Sequence, residues 1–255
     1  MGEPDRRLAV IADGDPFASD CRFRLSGRMQ IGLYPSLFLL QCWNLSEPDI
    51  YRLKNTKTLS IMRDDSCLAI GQVSDVFVRT VPEGTVTSVA FSLGLDLWEA
   101  DVSLAISDGV SASETVCRLL VASGTGIHLL SFPGSDPSFL RGQAFCGRAA
   151  ECIAITLSAA SARGYLVPAG LCIIPADPLP ATLHLTDLDL MDRPAFADGG
   201  RKMILSTTMT GFQPGEEMTF SYDGKTYTGL ILERMVEADT AMGPWNTQLM
   251  VEVHR

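Results

Sequence analysis

Hydrophobic and polar positions alternate along most of this chain and recur at helical spacing in only a few places. Phe23 and Leu25 alternate with Arg22 and Arg24, and Leu37 to Leu45 is an apolar run with a β-forming end. Both patterns predict strands, because successive side chains of an extended backbone point to opposite faces. Thr58–Met62, Cys67–Arg79 and Val86–Leu93 read as three more, separated by Arg63-Asp64-Asp65-Ser66 and Pro82-Glu83-Gly84, both rich in turn-forming residues. Val102, Leu104 and Ile106 alternate with Ser103, Ala105 and Ser107 up to an Asp108-Gly109 turn. This antiparallel meander is expected to close residues 21–108 into a small barrel. Residues 1–20 carry five acids and little periodicity, so a loosely held arm is expected there.

Helical signals interrupt the alternation. Ser46-Glu47-Pro48-Asp49 supplies an N-cap hydroxyl, an early proline and an acid at the third position, which predicts a short helix over 46–53. Ser111 and Glu114 form a second capping signal, followed by Val116, Leu119 and Leu120 at helical spacing and a stop at Gly124, so that Gly124-Thr125-Gly126 reads as a helix end rather than a phosphate loop. Ala149–Arg163 is Ala-rich and stops at Gly164, predicting a further helix. With short strands at Ile127–Phe132 and Leu171–Ile174, residues 109–180 are expected to form an α+β insert, ended by the proline-rich Pro175–Pro180. Beyond residue 200 the alternation returns in Lys202–Met209, Glu216–Tyr222, Lys225–Met235 and Asn246–His254, with Asp223-Gly224 as a hairpin turn. Residues 181–255 therefore predict a second small barrel. The expected class is α+β, mainly β: two small antiparallel β-barrel modules with an α+β insert between them.

Composition narrows the function. Twenty Lys and Arg against 30 Asp and Glu give a net charge of −10, which repels phosphate backbones and argues against nucleic-acid coating. The longest apolar stretch, Ile31 to Trp43, is interrupted by Gly32, Pro35 and Gln41 and falls short of the roughly 20 residues that span a bilayer. No membrane association is expected, and synthesis in the cytosol is. Seven cysteines without a CxxC pair predict reduced, buried thiols. Chemistry is poorly signalled. The three histidines, His128, His184 and His254, accompany no Gly-x-Ser-x-Gly elbow. No four-ligand zinc spacing exists, and Asp187, Asp189 and Asp192 lack the glycine and terminal glutamate of a calcium loop. No catalytic residue, cofactor or metal is expected. Trp43, Trp98 and Trp245 read as packing or interface anchors.

Seven short stretches occur in a telling order: Cys42-Trp43-Asn44-Leu45-Ser46, Ala69-Ile70-Gly71-Gln72-Val73, Ile106-Ser107-Asp108-Gly109, the helix over 147–163, Leu171-Cys172-Ile173-Ile174-Pro175, Gly211-Phe212-Gln213-Pro214-Gly215 and Gly243-Pro244-Trp245-Asn246-Thr247-Gln248-Leu249. Together they resemble the baseplate hub proteins of bacteriophage tails and related contractile injection systems, the group that includes the late control D proteins. The resemblance implies a structural homotrimer in the virion tail, made in the host cytoplasm, in which two tube-like barrels per chain build a pseudo-sixfold ring between the tail tube and a central spike. It implies the tail tube, spike and tape measure proteins as partners, and a lumen through which DNA or an effector passes without specific nucleic-acid binding. The sequence holds neither a lysozyme-like segment nor a repetitive β-helix, so spike and wall-degrading activity are expected in other chains. Trp43, Asn44, Leu45, Trp98, Pro214, Gly215, Trp245, Thr247 and Leu249 are the candidate packing or intersubunit residues. Two other readings remain open at this point: a tail-associated hydrolase acting on cell-wall or polysaccharide material, and a monomeric β-barrel ligand-binding module.

Overall fold

The computed structural model describes residues 6–17, 21–64, 66–132, 134–175 and 179–254. In chain order the elements are β1 (Ala9–Ala12), β2 (Asp15–Pro16), β3 (Phe23–Gln30), β4 (Ser36–Trp43), α1 (Glu47–Asn55), β5 (Thr58–Arg63), β6 (Ser66–Val81) and β7 (Gly84–Leu93). There follow α2 (Leu95–Glu99), β8 (Asp101–Ile106), α3 (Ala112–Ser123), β9 (Leu129–Ser131), β10 (Gln143–Arg148), α4 (Ala149–Ala159), β11 (Arg163–Val167) and β12 (Gly170–Ile174). The chain ends with β13 (Leu183–Leu185), β14 (Ala195–Ala197), β15 (Lys202–Thr207), β16 (Glu217–Tyr222), β17 (Lys225–Asp239) and β18 (Trp245–Val253). They form two compact units, one from the described parts of Met1–Met29, Ser36–Leu93 and Leu183–Arg255, the other from Gln30–Pro35 and Gly94–Thr182.

The first unit is built on one 13-stranded sheet in the order β14-β15-β18-β17-β3-β4-β7-β6-β5-β1-β2, with β16 also on β17 and β13 parallel to β16. The pattern predicts two separate closed barrels; instead both strand-rich segments lie in one open sheet, because β3 pairs with β17. Two apolar clusters underlie it. One gathers β1, β3–β7 and the ends of β17 and β18, from Leu8 and Val10 through Phe23, Leu40, Ile61 and Phe91 to Val236 and Trp245. The other lies among β15–β18, around Met203, Phe220, Ile231 and Val251. A β-bulge in β17 between Ile231 and Glu233 shifts the alternation by one residue. Odd-numbered Ile231 faces the second cluster, and even-numbered Arg234, Val236 and Ala238 then point inward.

The N-terminal segment also departs from expectation. Of residues 1–20, those numbered 1–5 and 18–20 lie outside the described residues, but β1 is paired along its whole length with β5, Val10 opposite Ile61, and Val10 and Ala12 are buried. Its Val-Ile core supplies enough apolar surface to hold it on the sheet edge. The caps read from sequence are in place: Ser46 accepts from the Asp49 N–H at the start of α1, and Asp223 and Gly224 both have positive φ in the β16–β17 turn.

In the second unit β8 pairs with β10, although the alternation places β8 at the end of the first module. Helices α3 and α4 pack on each other, and β11, β12 and β9 form a small sheet whose β12–β9 pair is parallel. Ser111 caps α3 and Gly124 ends it in the left-handed conformation. The predicted helix over 149–163 is four residues too long. It closes at Ala160 and a left-handed Ser161, and Arg163 and Gly164 enter β11. Gly164 is thus no helix stop; a Cβ there would meet Leu157 at 2.8 Å, so the glycine serves close packing of strand on helix. Residues 176–178 of the predicted proline boundary lie outside the described residues. No helix among the described residues is long and apolar enough to cross a membrane.

Gly71 serves a similar purpose in β6, where a Cβ would run into the carbonyl oxygen of Ser92 on β7. Gly71→Ala is expected to push β6 from β7 and lower stability by about 1–3 kcal/mol. Chemical denaturation measures it, and an unchanged midpoint contradicts the close approach.

Candidate functional site

The most heavily tied region of the first unit is the seam where β3 meets β17. Arg22 reaches Asp239 through two bonds, Nε–Oδ1 at 3.1 Å and Nη2–Oδ2 at 2.7 Å, while its guanidinium lies 4.4 Å above the Trp43 ring. This forked geometry suits a guanidinium facing a carboxylate, and the ring face adds a cation–π contact. Arg28 pairs with Glu233 at 2.6 Å, and Thr240 exchanges hydrogen bonds with the backbone of Phe23. Between these pairs Arg234 is buried. It donates to the carbonyls of Phe212 and Leu68, and its Nη2 lies 3.2 Å from the Met29 sulfur. Burial lowers the Arg234 pKa to about 10, against the favourable fields of Cys67 and Glu216. Burial likewise raises the Glu216 carboxyl, opposed by the Gln213 N–H and by Arg234.

Alternation in the sequence does not announce this cluster, because the bulge that turns Arg234 inward leaves no compositional mark. A run of Arg22, Arg24 and Arg28 facing a later Glu233, Arg234, Glu237 and Asp239 was the only available signal.

The candidate anchors fall in different places. Trp43 is half-buried under Arg22, Asn44 is exposed in a left-handed turn and exchanges hydrogen bonds with Thr85, and Leu45 is buried. Pro214 and Gly215 are buried, with the Gly215 N–H bonded to Ile231 O at 2.8 Å. Trp245, 6% exposed, packs in the larger cluster beneath the Arg63 guanidinium, 5.0 Å from its centroid. Thr247 and Leu249 are buried farther along β18. In the other unit Trp98 lies on α2, half-buried, 5.1 Å from Tyr34. The structure places Trp43 near the seam and Trp245, Thr247 and Leu249 along one strand of the first unit.

His128 is exposed ahead of β9 rather than inside an apolar strand, His184 is exposed and contacts Thr219, and His254 Nε2 pairs with the buried Glu217 at 2.8 Å. Among the described residues no cluster of three or more His, Cys, Asp or Glu is placed to hold a metal ion. All seven cysteines are free, but only Cys42 and Cys152 are buried, and Cys146 is exposed. Burial pushes the Cys42 thiol up, which leaves it a poor nucleophile. A cleft of about 940 Å³ opens between β1 and the Thr240–Ala241 turn. Two of the arginines on its wall serve the fold: Arg6 donates to the Ala241 and Gly243 carbonyls, and Arg22 holds Asp239.

Burial by itself raises the Asp239 carboxyl, but the Arg22 bonds and the Ala241 N–H more than offset it and hold the pKa below the ordinary value. The folded-state pKa is depressed, so the stabilisation is complete above the unfolded carboxylate range and is lost as pH falls through the folded value. Asp239→Asn is expected to cost about 1–2 kcal/mol at pH 7, discounted because Arg22 is partly exposed, and to flatten the acid limb of the stability profile. Equal wild-type and variant profiles from about pH 2 to about pH 7 in urea titrations contradict it. Trp245→Ala is expected to cost about 3–5 kcal/mol, seen as a lower melting temperature of the isolated chain. An unchanged melting temperature overturns its role as a core ring.

No family model matches the sequence, and no curated protein does. Solved structures do match. A tail protein from Neisseria meningitidis MC58 is 11% identical with a TM-score of 0.74, covering 96% of each chain. A component of the Escherichia coli type VI secretion system, described as structurally similar to the T4 bacteriophage tail proteins gp27 and gp5, is 10% identical with a TM-score of 0.71 over 96% of this chain and 77% of that one. The 43 kDa tail protein of prophage MuSo2 from Shewanella oneidensis is 10% identical with a TM-score of 0.69, covering 96% and 97%. At such identities the likeness is one of architecture: the chain shares the fold of these tail proteins.

Proposed function

We propose that the chain is a structural baseplate hub protein of a phage tail, three copies of which form a ring between the tail tube and a central spike. The observation that carries this reading is the match to the Neisseria tail protein over 96% of both chains, since a likeness of that extent leaves little of either chain with a separate architecture. On this reading the N- and C-terminal strand groups each act as a tube-like module. Three chains then present six such positions, and the symmetry passes from sixfold tube to threefold spike. Closed cyclic symmetry ends the assembly at a defined number of copies.

The role is non-enzymatic. The buried charges tie strands together, and the net charge of −10 disfavours retention of DNA in a lumen. Its place is the baseplate of the virion tail, after synthesis in the host cytoplasm, with the tail tube, spike and tape measure proteins as neighbours.

Native mass measurement of the chain assembled with its tail tube and spike proteins is expected to give three copies per complex. One copy per complex, or no complex, overturns the reading.

A further inference from the structure

The segment between β13 and β15 turns large apolar side chains to solvent. Leu188 is 94% exposed, Met191 49% and Phe196 54%, and Asp187, Asp189, Asp192 and Asp198 stand around them with a single base, Arg193. The segment is firmly tied. Asp189 accepts from the Thr186 N–H and hydroxyl at 2.8 and 2.7 Å and so caps the short turn Asp187–Asp189. Thr207 Oγ1 donates to Asp189 O, the Met191 N–H bonds to Ser206 O, and Phe196 lies opposite Met203 in the β14–β15 pair. Leu188 is thus a fixed apolar knob in an acidic collar, and a partner that receives it has little freedom to remove.

The cleft between β1 and the Thr240–Ala241 turn has the complementary chemistry. Leu8, Phe17 and Phe23 give it an apolar lining, and Arg6, Arg7 and Arg22 against Asp64 make its wall basic in a chain whose net charge is −10. Asp239 neutralises Arg22. The bonds of Arg6 go to carbonyl oxygens, which leave its charge in place, and its Nε is buried with no hydrogen-bond partner among the described residues. A volume of about 940 Å³ has room for Leu188 and its neighbours, since pockets of roughly 300–1,000 Å³ enclose drug-sized ligands. No residue of 186–198 lines the cleft of its own chain. The segment is bound to β15, beside one terminal strand of the sheet, and the cleft is walled by β1, beside the other. We propose that Asp187–Phe196 of one copy docks in this cleft of the next copy, with Leu188 on the apolar lining and the acids toward Arg6 and Arg7. Knob and cleft are different surfaces, so each copy gives one and receives one, and the contact repeats head to tail until three copies close it as a ring. The inference rests on the ring reading and names the contact that joins one copy to the next.

Native mass measurement on the purified full chain, without tube or spike proteins, tests it. The wild type is expected to give three copies. Leu188→Asp sets a charge on the apolar lining, and Ala9→Glu sets an acid at an exposed β1 position on the cleft wall; each is expected to weaken association about tenfold or more. Ala9→Lys keeps the wall basic and is expected to associate as the wild type does. Melting temperatures within the wild-type range show that the exposed substitutions leave the fold intact. A mixture of Leu188→Asp, whose cleft is sound, with Ala9→Glu, whose knob is sound, is expected to form one-to-one pairs, because one good contact remains and no ring can close. A wild type that is monomeric or dimeric alone, Leu188→Asp or Ala9→Glu assembling as the wild type does, Ala9→Lys failing as Ala9→Glu does, or a mixture that stays monomeric each overturn the proposal. One copy alone but three with tube and spike proteins removes this contact and leaves the ring reading standing, whereas three copies alone that form no complex with those proteins do the reverse.

Discussion

The first unit depends on one long-range contact, the pairing of β3 with β17. It joins residues 217 positions apart at Arg22 and Asp239, and 205 apart at Arg28 and Glu233. Bringing such distant segments together carries a loop-closure cost, and an ordinary ladder of backbone bonds at a sheet centre does not by itself select this partner over another strand. The seam adds selection. A forked arginine–carboxylate pair and a second ion pair form together only when β3 and β17 are neighbours, and the buried Arg234 of β17 adds a contact to the Met29 sulfur of β3. Buried charge is poor currency for raw stability, because desolvation cancels much of the attraction. Its effect here is on specificity: any other neighbour leaves the buried Asp239 without Arg22 and Glu233 without Arg28.

The elements that depend on local sequence were legible, and those that depend on a distant partner were not. Ser46 and Ser111 cap helices because the hydroxyl and the N–H it accepts from lie three residues apart, and Asp223-Gly224 turns because both residues tolerate positive φ. Strand β1 was missed because its burial comes from β5, some fifty residues on, and not from its acidic surroundings. The sequence places Arg163 at the end of a helix and Gly164 as its stop because glycine after an Ala-rich run resembles a helix end, whereas pairing with β12 makes both the start of β11. The separation into two barrels failed for the same reason: each segment alternates well enough to fold on itself, and only the β3–β17 pairing shows that they share a sheet.

Trp245, Thr247 and Leu249 alternate along one strand and are buried, as alternation with one face inward requires. Arg234 was invisible. A charged residue between Glu233 and Met235 reads as solvent-facing unless the strand is known to slip by one at Leu232. The same insensitivity explains how chains of 10–11% identity share this fold. The architecture requires the in–out pattern and the places where it changes phase, and many sequences meet that requirement.

Those phase changes mark where strands exchange neighbours. In β17 the residues before the bulge, Lys225–Leu230, pair with β16, and those after it, Glu233 onward, meet β3. In β6 the residues up to Gln72 pair with β5, the bulge falls between Val73 and Asp75, and the strand then continues with β7 alone. A bulge bends its strand and increases the local twist, so a strand that has followed one neighbour is turned away from it at that point. Two outcomes follow from the same device. Where a second strand is waiting, as β3 is for β17, the turned segment is enclosed and its charges become internal. Where none is waiting, as at the end of β6, the turned segment leaves the sheet with an open backbone edge and side chains exposed on both faces, and the geometry that completes the interior in one place creates an unpartnered surface in the other.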